Sequence, residues 1–113
     1  MDTLSAIPAY GPGVFVAVID GSKARTLRGF YSRITEALHF PDYFGRNLDA
    51  LLDCLCSLDN IDSQEVVLQI RHAEKFLSRE NPAQKEAAFE VLRAAELPAN
   101  RYDAMKFRVQ MVY

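Results

Sequence analysis

Two aspartates four residues apart, Asp49 and Asp53, are the residues whose types and spacing point most directly to chemistry. They follow Asn47, whose side-chain oxygen can cap a helix by accepting a backbone N–H of its first turn. On such a helix Asp49 falls in the first turn, and Asp53 lies on the same face one turn later. An acidic helix face can bind cationic groups, and paired carboxylates can also supply the acid and the base of a hydrolase.

The pattern favours binding over catalysis. Both carboxylates are predicted on one exposed helix face and not across a cleft. The sequence has no nucleophile next to a base, no glycine-rich phosphate loop and no metal-ligand triad. Cys54 and Cys56, the only cysteines, are two residues apart and point to different faces of the predicted helix. We therefore predict no catalytic residue, no metal site and no cofactor, while a merely solvated acidic face stays open as an alternative.

The acidic side chains are concentrated in one part of the chain. Residues 42 to 65 contain six acidic residues and one basic residue, a net charge of −5 in a chain whose total is −2. Phosphate binding requires lysine and arginine, so we do not expect this segment to bind nucleic acid. It suits a basic protein partner, although acidic surfaces also serve solubility.

The chain of 113 residues has the size of one domain, and 50% of it is hydrophobic. No apolar run reaches the roughly 18 residues that indicate a membrane span. Residues 1–13 are rich in proline and glycine and lack the basic and apolar regions of a secretion signal, so they are predicted to form an irregular leader. We expect a cytoplasmic protein that does not contact membranes and is a monomer when free.

Hydrophobic periodicity predicts the elements that must position the aspartates. Apolar runs predict strands at residues 14–19, 65–70 and 105–113. Helical spacing and capping residues predict helices at residues 27–38, 48–58, 72–78 and 82–96. The first strand is uniformly apolar and is expected to be buried on both faces, whereas the third alternates and is expected at an edge. Crossovers that contain helices favour parallel strands, so we predict an α/β domain over residues 14–113 with a three-stranded mainly parallel sheet and about four helices.

The segment Phe40–Leu55 resembles the barstar family, intracellular inhibitors of a secreted bacterial ribonuclease. The resemblance rests on Pro41, Tyr43, Gly45, Asn47-Leu48-Asp49-Ala50-Leu51 and Asp53-Cys54-Leu55. It begins at Val18-Ile19-Asp20-Gly21, which is similar to the end of the family's first strand, and the order of the predicted elements fits the family to Tyr113.

The resemblance implies that the second helix and the loop before it plug a ribonuclease active site, with aspartates in place of the substrate phosphates. Such a site must be lined with Arg, Lys and His, to which carboxylates form charge-assisted hydrogen bonds. By position, Asp53 would be the main phosphate mimic, Asp49 a second acidic contact and Tyr43 an aromatic that packs against a catalytic histidine. The remaining partner-binding candidates are Phe44, Gly45, Asn47 and Leu52. For Phe44 and Leu52 a position in the core stays an open alternative.

The chain departs from the family's pattern in four places. Cys56 stands where barstar has a threonine, and the turn Asp59–Ser63 lacks barstar's tryptophan. Leu52 stands where barstar has a tryptophan, and Ala94 aligns with a glutamate that supports ribonuclease binding. We therefore expect the cognate enzyme to differ from barstar's own. The predicted function is a ribonuclease inhibitor, or immunity protein of a toxin–antitoxin pair, whose partner is a basic extracellular or toxin-type ribonuclease. The alternative is a binding module for another basic protein that is not a ribonuclease.

Overall fold

The computed structural model describes residues 13–113, so the predicted leader lies outside the described residues except for Gly13. This part of the chain contains three strands and three α-helices. Their order is β1 (Val14–Asp20), α1 (Leu27–Leu38), α2 (Leu48–Leu55), β2 (Glu65–Arg71), α3 (Pro82–Glu96) and β3 (Lys106–Val112). Two short 3-10 helices, Gly21–Lys23 and Pro98–Asn100, follow β1 and α3.

The three strands form one sheet in the order β1-β2-β3, and both pairs are parallel. Alternate residues of each strand belong to a single hydrophobic core that they share with the three helices. Val66 of the central strand, for example, pairs with Phe15 on one side and Phe107 on the other. The helices therefore cover one face of the sheet. This arrangement is expected when successive crossovers between neighbouring parallel strands have the same right-handed sense and run in the same direction across the sheet.

A polar side chain caps each of the three α-helices at its N-terminus. Thr26 Oγ1 accepts from the N–H of Gly29 at 3.1 Å, Asn47 Oδ1 accepts at 2.8 Å, and Asn81 Oδ1 accepts at 2.9 Å. Each cap contributes about 1 kcal/mol by satisfying a backbone donor that the helix leaves free. The predicted starts of these three helices are confirmed. No helix in residues 13–113 is long and apolar enough to cross a bilayer.

The predicted helix at residues 72–78 is wrong, because residues 72–80 form consecutive turns. The backbone N–H groups of Leu77 and Arg79 donate to the carbonyl oxygens of Ala24 and Arg25, each at 2.9 Å. Donors committed to a distant segment cannot make the i→i−4 bonds of a helix. Leu77 also has a left-handed φ of 56°, which interrupts a helix. The prediction of about four helices is therefore corrected to three α-helices in the described part of the chain.

The predicted burial of the first strand on both faces is also wrong. Strand β1 lies at an edge of the sheet, and Val18, which faces away from the helices, is 49% exposed. The strand buried on both faces is the central β2, where Val66, Val67 and Leu68 are all buried. The edge position predicted for the third strand is confirmed.

Candidate partner-binding site

The loop between α1 and α2 contains three aromatic residues, of which two are buried and one is exposed to solvent. The rings of Phe40 and Phe44 are buried and meet edge to face, with 5.0 Å between their centroids. Phe44 also packs against Tyr31 of α1 at 5.7 Å. Between them Tyr43 is 86% exposed. Of the two readings left open for Phe44, the structure shows the core position, where its ring supports the loop that presents Tyr43.

The side chain of Arg46, the basic residue of the acidic segment, is bonded to α1 and lines the same pocket as Asp49 without forming an ion pair with it. Arg46 has a left-handed φ of 53°, and its Nη2 donates to the carbonyl oxygen of Arg28 at 3.2 Å and to Ser32 Oγ at 2.9 Å. At the other end of the segment, Glu65 pairs with Arg108 on the neighbouring strand. The other acidic residues of the segment remain exposed: Asp42, Asp49, Asp53, Asp59 and Asp62.

The two predicted contact carboxylates are exposed, and within residues 13–113 neither Asp49 nor Asp53 has a hydrogen bond or an ion pair. Asp49 lies in the first turn of α2, where the positive helix end favours it. Helix α2 ends at Leu55, so Asp53 lies in its last turn. A carboxylate there is disfavoured by about 0.3–1 kcal/mol at the negative helix end, and by about 0.2–0.5 kcal/mol beside a like charge four residues away. Asp53 therefore occupies a position that lowers the stability of the helix, without a partner in residues 13–113 that would offset this.

Helix α2 ends at Leu55, three residues before the predicted end at Leu58. The backbone groups that would extend it form hydrogen bonds with a distant segment instead. The N–H of Leu58 donates to Asp103 Oδ2 at 3.0 Å, and the carbonyl oxygen of Cys56 accepts from the N–H of Tyr102 at 3.0 Å. Asp103 in turn forms a two-bond ion pair with Arg101, at 2.8 and 2.9 Å, and the Arg101 side chain is only 2% exposed. The segment before β3 thus fixes the end of the helix that carries Asp53.

The ion pair that fixes this end is ionised at neutral pH. Burial disfavours the charged form of Asp103, but hydrogen bonds from Arg101 and from the backbone N–H groups of Leu58 and Met105 outweigh that effect. The pKa of Asp103 therefore lies below its usual value.

The two thiols on and beside α2 are not activated as nucleophiles. Burial raises the pKa of the Cys54 thiol, and the carboxylate of Asp53 raises it further, while burial raises that of Cys56. Both are free cysteines whose thiols stay protonated at neutral pH and are poor nucleophiles. Residues 13–113 contain no group of three side chains placed to hold a metal ion.

A cleft of about 460 Å³ lies beside Asp53. Tyr43 reaches it from the loop before α2, and Tyr102, which is 76% exposed, reaches it from the segment before β3. Asp53 and Asp59 supply its carboxylates. Sequence reasoning missed Tyr102 and Asp59 as site residues. The sequence feature that could have pointed to Tyr102 is its position between two opposite charges, in Arg101-Tyr102-Asp103.

The predicted site residues fall into two groups. Tyr43 and Asp53 line this cleft, whereas Asn47 and Asp49 line a shallower pocket at the other end of the helix. Gly45 is exposed, and a Cβ there would lie 3.2 Å from Asn47 Nδ2. Leu52 is half-buried and packs against the core, so both of its open readings stand.

Comparisons with known proteins show which family this chain is similar to. The family model described as Barstar (barnase inhibitor) matches residues 14–112. A Bacillus subtilis (strain 168) protein named "Putative ribonuclease inhibitor YrdF" is 35% identical over 60 residues. The aligned part covers 53% of this chain and 66% of the relative.

Proposed function

The chain belongs to the barstar family, and on this premise we propose that it inhibits a ribonuclease by covering the enzyme's active site with α2 and the loop before it. One observation carries the proposal: Asp53 presents an unpaired carboxylate in the last turn of α2, in the same cleft as the exposed ring of Tyr43. Members of the family are inhibitors and not enzymes, so no catalytic step is proposed. The proposed partner is a basic extracellular or toxin-type ribonuclease, against which the protein serves as a cytoplasmic immunity protein.

The proposed mechanism is occupation of the phosphate-binding positions by carboxylates. Asp53 accepts charge-assisted hydrogen bonds from the arginine, lysine or histidine groups that would otherwise hold RNA. Asp49 supplies a second negative charge from the first turn of the helix, and Tyr43 packs its ring against the catalytic histidine. The exposed backbone at Gly45 and the capping residue Asn47 lie along the approach, with Leu52 at the border of the contact.

The structure supports the mechanism because the proposed contact groups are held before binding. The cap of Asn47 fixes the start of α2, and the bonds from Tyr102 and to Asp103 fix its end. The buried Phe44 ring fixes the loop that carries Tyr43. A surface that is already ordered loses less conformational entropy on binding, so more of the contact energy remains as affinity.

The test is an inhibition titration of ribonucleases with the purified protein. Barnase, which the family description names, is assayed together with the small basic ribonucleases encoded by the source organism. We expect at least one enzyme to lose its activity at an equimolar ratio of inhibitor. Full activity of every enzyme at tenfold excess, or cleavage of RNA by the protein alone, would overturn the proposal. Tight binding to a basic protein whose activity is unchanged would support the alternative of a different binding module.

A further inference from the structure

We infer that the partner-binding surface continues past α2 to Tyr102, and that the cleft between Tyr102 and Tyr43 takes an arginine side chain from a basic loop of the ribonuclease, next to its active site. This inference rests on the proposed function, since it extends the same surface. It adds to that surface a segment, residues 101–103, that sequence reasoning did not connect with binding.

The first support is an exposed ring whose backbone is anchored. Tyr102 is 76% exposed, yet its backbone N–H is bonded to the carbonyl oxygen of Cys56 at 3.0 Å. Its two neighbours, Arg101 and Asp103, form a partly buried ion pair, and Arg101 Nη1 also donates to the carbonyl oxygen of Ala95 at 2.9 Å. A large apolar ring that is fixed at its backbone and left in solvent offers contact area at little entropic cost.

The second support is continuity with the proposed interface. Tyr102 and Asp53 line the same cleft, and Cys56, which accepts the bond from Tyr102, is the C-cap residue of α2. A partner that covers Asp53 and Tyr43 therefore has Tyr102 within the same depression. A contact restricted to α2 would leave part of this depression open to water.

The third support is the match between the cleft and a guanidinium group. Its carboxylates, Asp53 and Asp59, are both exposed, and its rings are those of two tyrosines and one phenylalanine, with His39 as the other aromatic group. Within residues 13–113 no lysine or arginine lines it. Arginine is the side chain that both stacks on an aromatic face and forks onto a carboxylate. An anionic ligand would meet two like charges here.

The experiment compares Tyr102→Ala with Tyr113→Ala, which removes a similarly exposed ring (83%) that does not line the cleft. The probe is the ribonuclease that the wild-type protein inhibits, barnase being the first enzyme assayed. For Tyr102→Ala we expect an inhibition constant about 3- to 30-fold weaker, the range of a partly to fully desolvated cation–π contact. Tyr102→Phe, which keeps the ring face, should restore inhibition to within twofold of the wild type. A thermal melt checks that each variant is folded.

The outcomes separate this inference from the proposed function. If the wild type inhibits the enzyme and Tyr102→Ala inhibits as well as Tyr113→Ala, the inference is overturned and the proposed function stands. If the wild type inhibits no ribonuclease, both fall. Sedimentation of the wild type and of Tyr102→Ala tests another occupant: a wild-type dimer that Tyr102→Ala dissociates would show that the cleft takes a second copy of this chain, and the inference would fall.

Discussion

Replacing Asp53 by alanine should raise the stability of the isolated protein and weaken its binding to the ribonuclease. Asp53 has no partner within residues 13–113, so the isolated protein loses no interaction when the carboxylate is removed. Three local effects then favour the variant. A like charge four residues away disappears, worth about 0.2–0.5 kcal/mol. A negative charge leaves the negative end of α2, worth about 0.3–1 kcal/mol. Alanine also has the higher helix propensity, by up to about 0.7 kcal/mol.

These three effects overlap, so their sum is smaller than the separate values suggest. We expect the free energy of unfolding of Asp53→Ala to exceed that of the wild type by about 1 kcal/mol, and its melting temperature to be about 4 °C higher. Binding should change in the other direction. Removal of one partner from an ion pair that becomes buried in the complex leaves the ribonuclease's cation without compensation, at a cost of about 3–5 kcal/mol. The inhibition constant should then weaken by about 150- to 4,000-fold.

The matched control is Asp62→Ala, which removes the same charge from an exposed position in the loop between α2 and β2, outside the cleft. Urea denaturation measures the stability of both variants, and inhibition titration measures their affinity. Asp62→Ala should bind within a few-fold of the wild type, because only long-range attraction changes. If Asp53→Ala is strongly destabilised, the residue is structural. If it inhibits as well as Asp62→Ala, the carboxylate does not imitate a phosphate and the reasoning is refuted.

Four further predictions concern other features of the molecule. Asp103→Asn should lower the free energy of unfolding by about 3–5 kcal/mol in urea denaturation at pH 7, because Arg101 is left buried without its counter-charge; an unchanged midpoint would contradict this. Because the pKa of Asp103 is lowered in the native state, the unfolded chain binds the proton more readily. The wild type should therefore keep this stabilisation above about pH 4 and lose it as the pH falls through the native pKa. In the same pH titration of stability, Asp103→Asn should lack this step. Gly21→Ala should lower stability by about 1–3 kcal/mol in a thermal melt, because a Cβ would lie 2.6 and 2.7 Å from the carbonyl oxygens of His72 and Arg71, and an unchanged melting temperature would exclude this close approach. The association rate with the inhibited ribonuclease, followed by stopped flow, should fall as salt shortens the screening length from about 10 Å at 0.1 M to about 3 Å at 1 M; a rate independent of salt would exclude steering by the acidic face.

The features that could be predicted from the sequence are those whose cause is local. Thr26, Asn47 and Asn81 each cap a helix by accepting an N–H three residues ahead, and such spacings are visible in the chain. The exposure of Asp49 and Asp53 follows in the same way from helical spacing against the buried Leu51 and Leu55. Parallel strands could be predicted because each connection contains a helix.

The features that could not be predicted depend on bonds between distant segments. The end of α2 is set by a bond from Leu58 to Asp103, 45 residues away. The segment after β2 is kept from forming a helix by bonds from Leu77 and Arg79 to residues more than 50 positions earlier. Because Tyr102 joins the cleft through the bond from its N–H to Cys56, its place in the surface was hidden for the same reason.

The bond from Leu58 to Asp103 also has a consequence in time. The two residues are 45 positions apart, so the ribosome completes the helix well before it makes the segment that holds the end of that helix. At about 5–20 residues per second, this interval lasts about 2–9 s. During it the end of α2 lacks the bond that holds it in the folded protein, so under the proposed function we expect inhibition of a ribonuclease to begin only when residues 101–103 have emerged and docked.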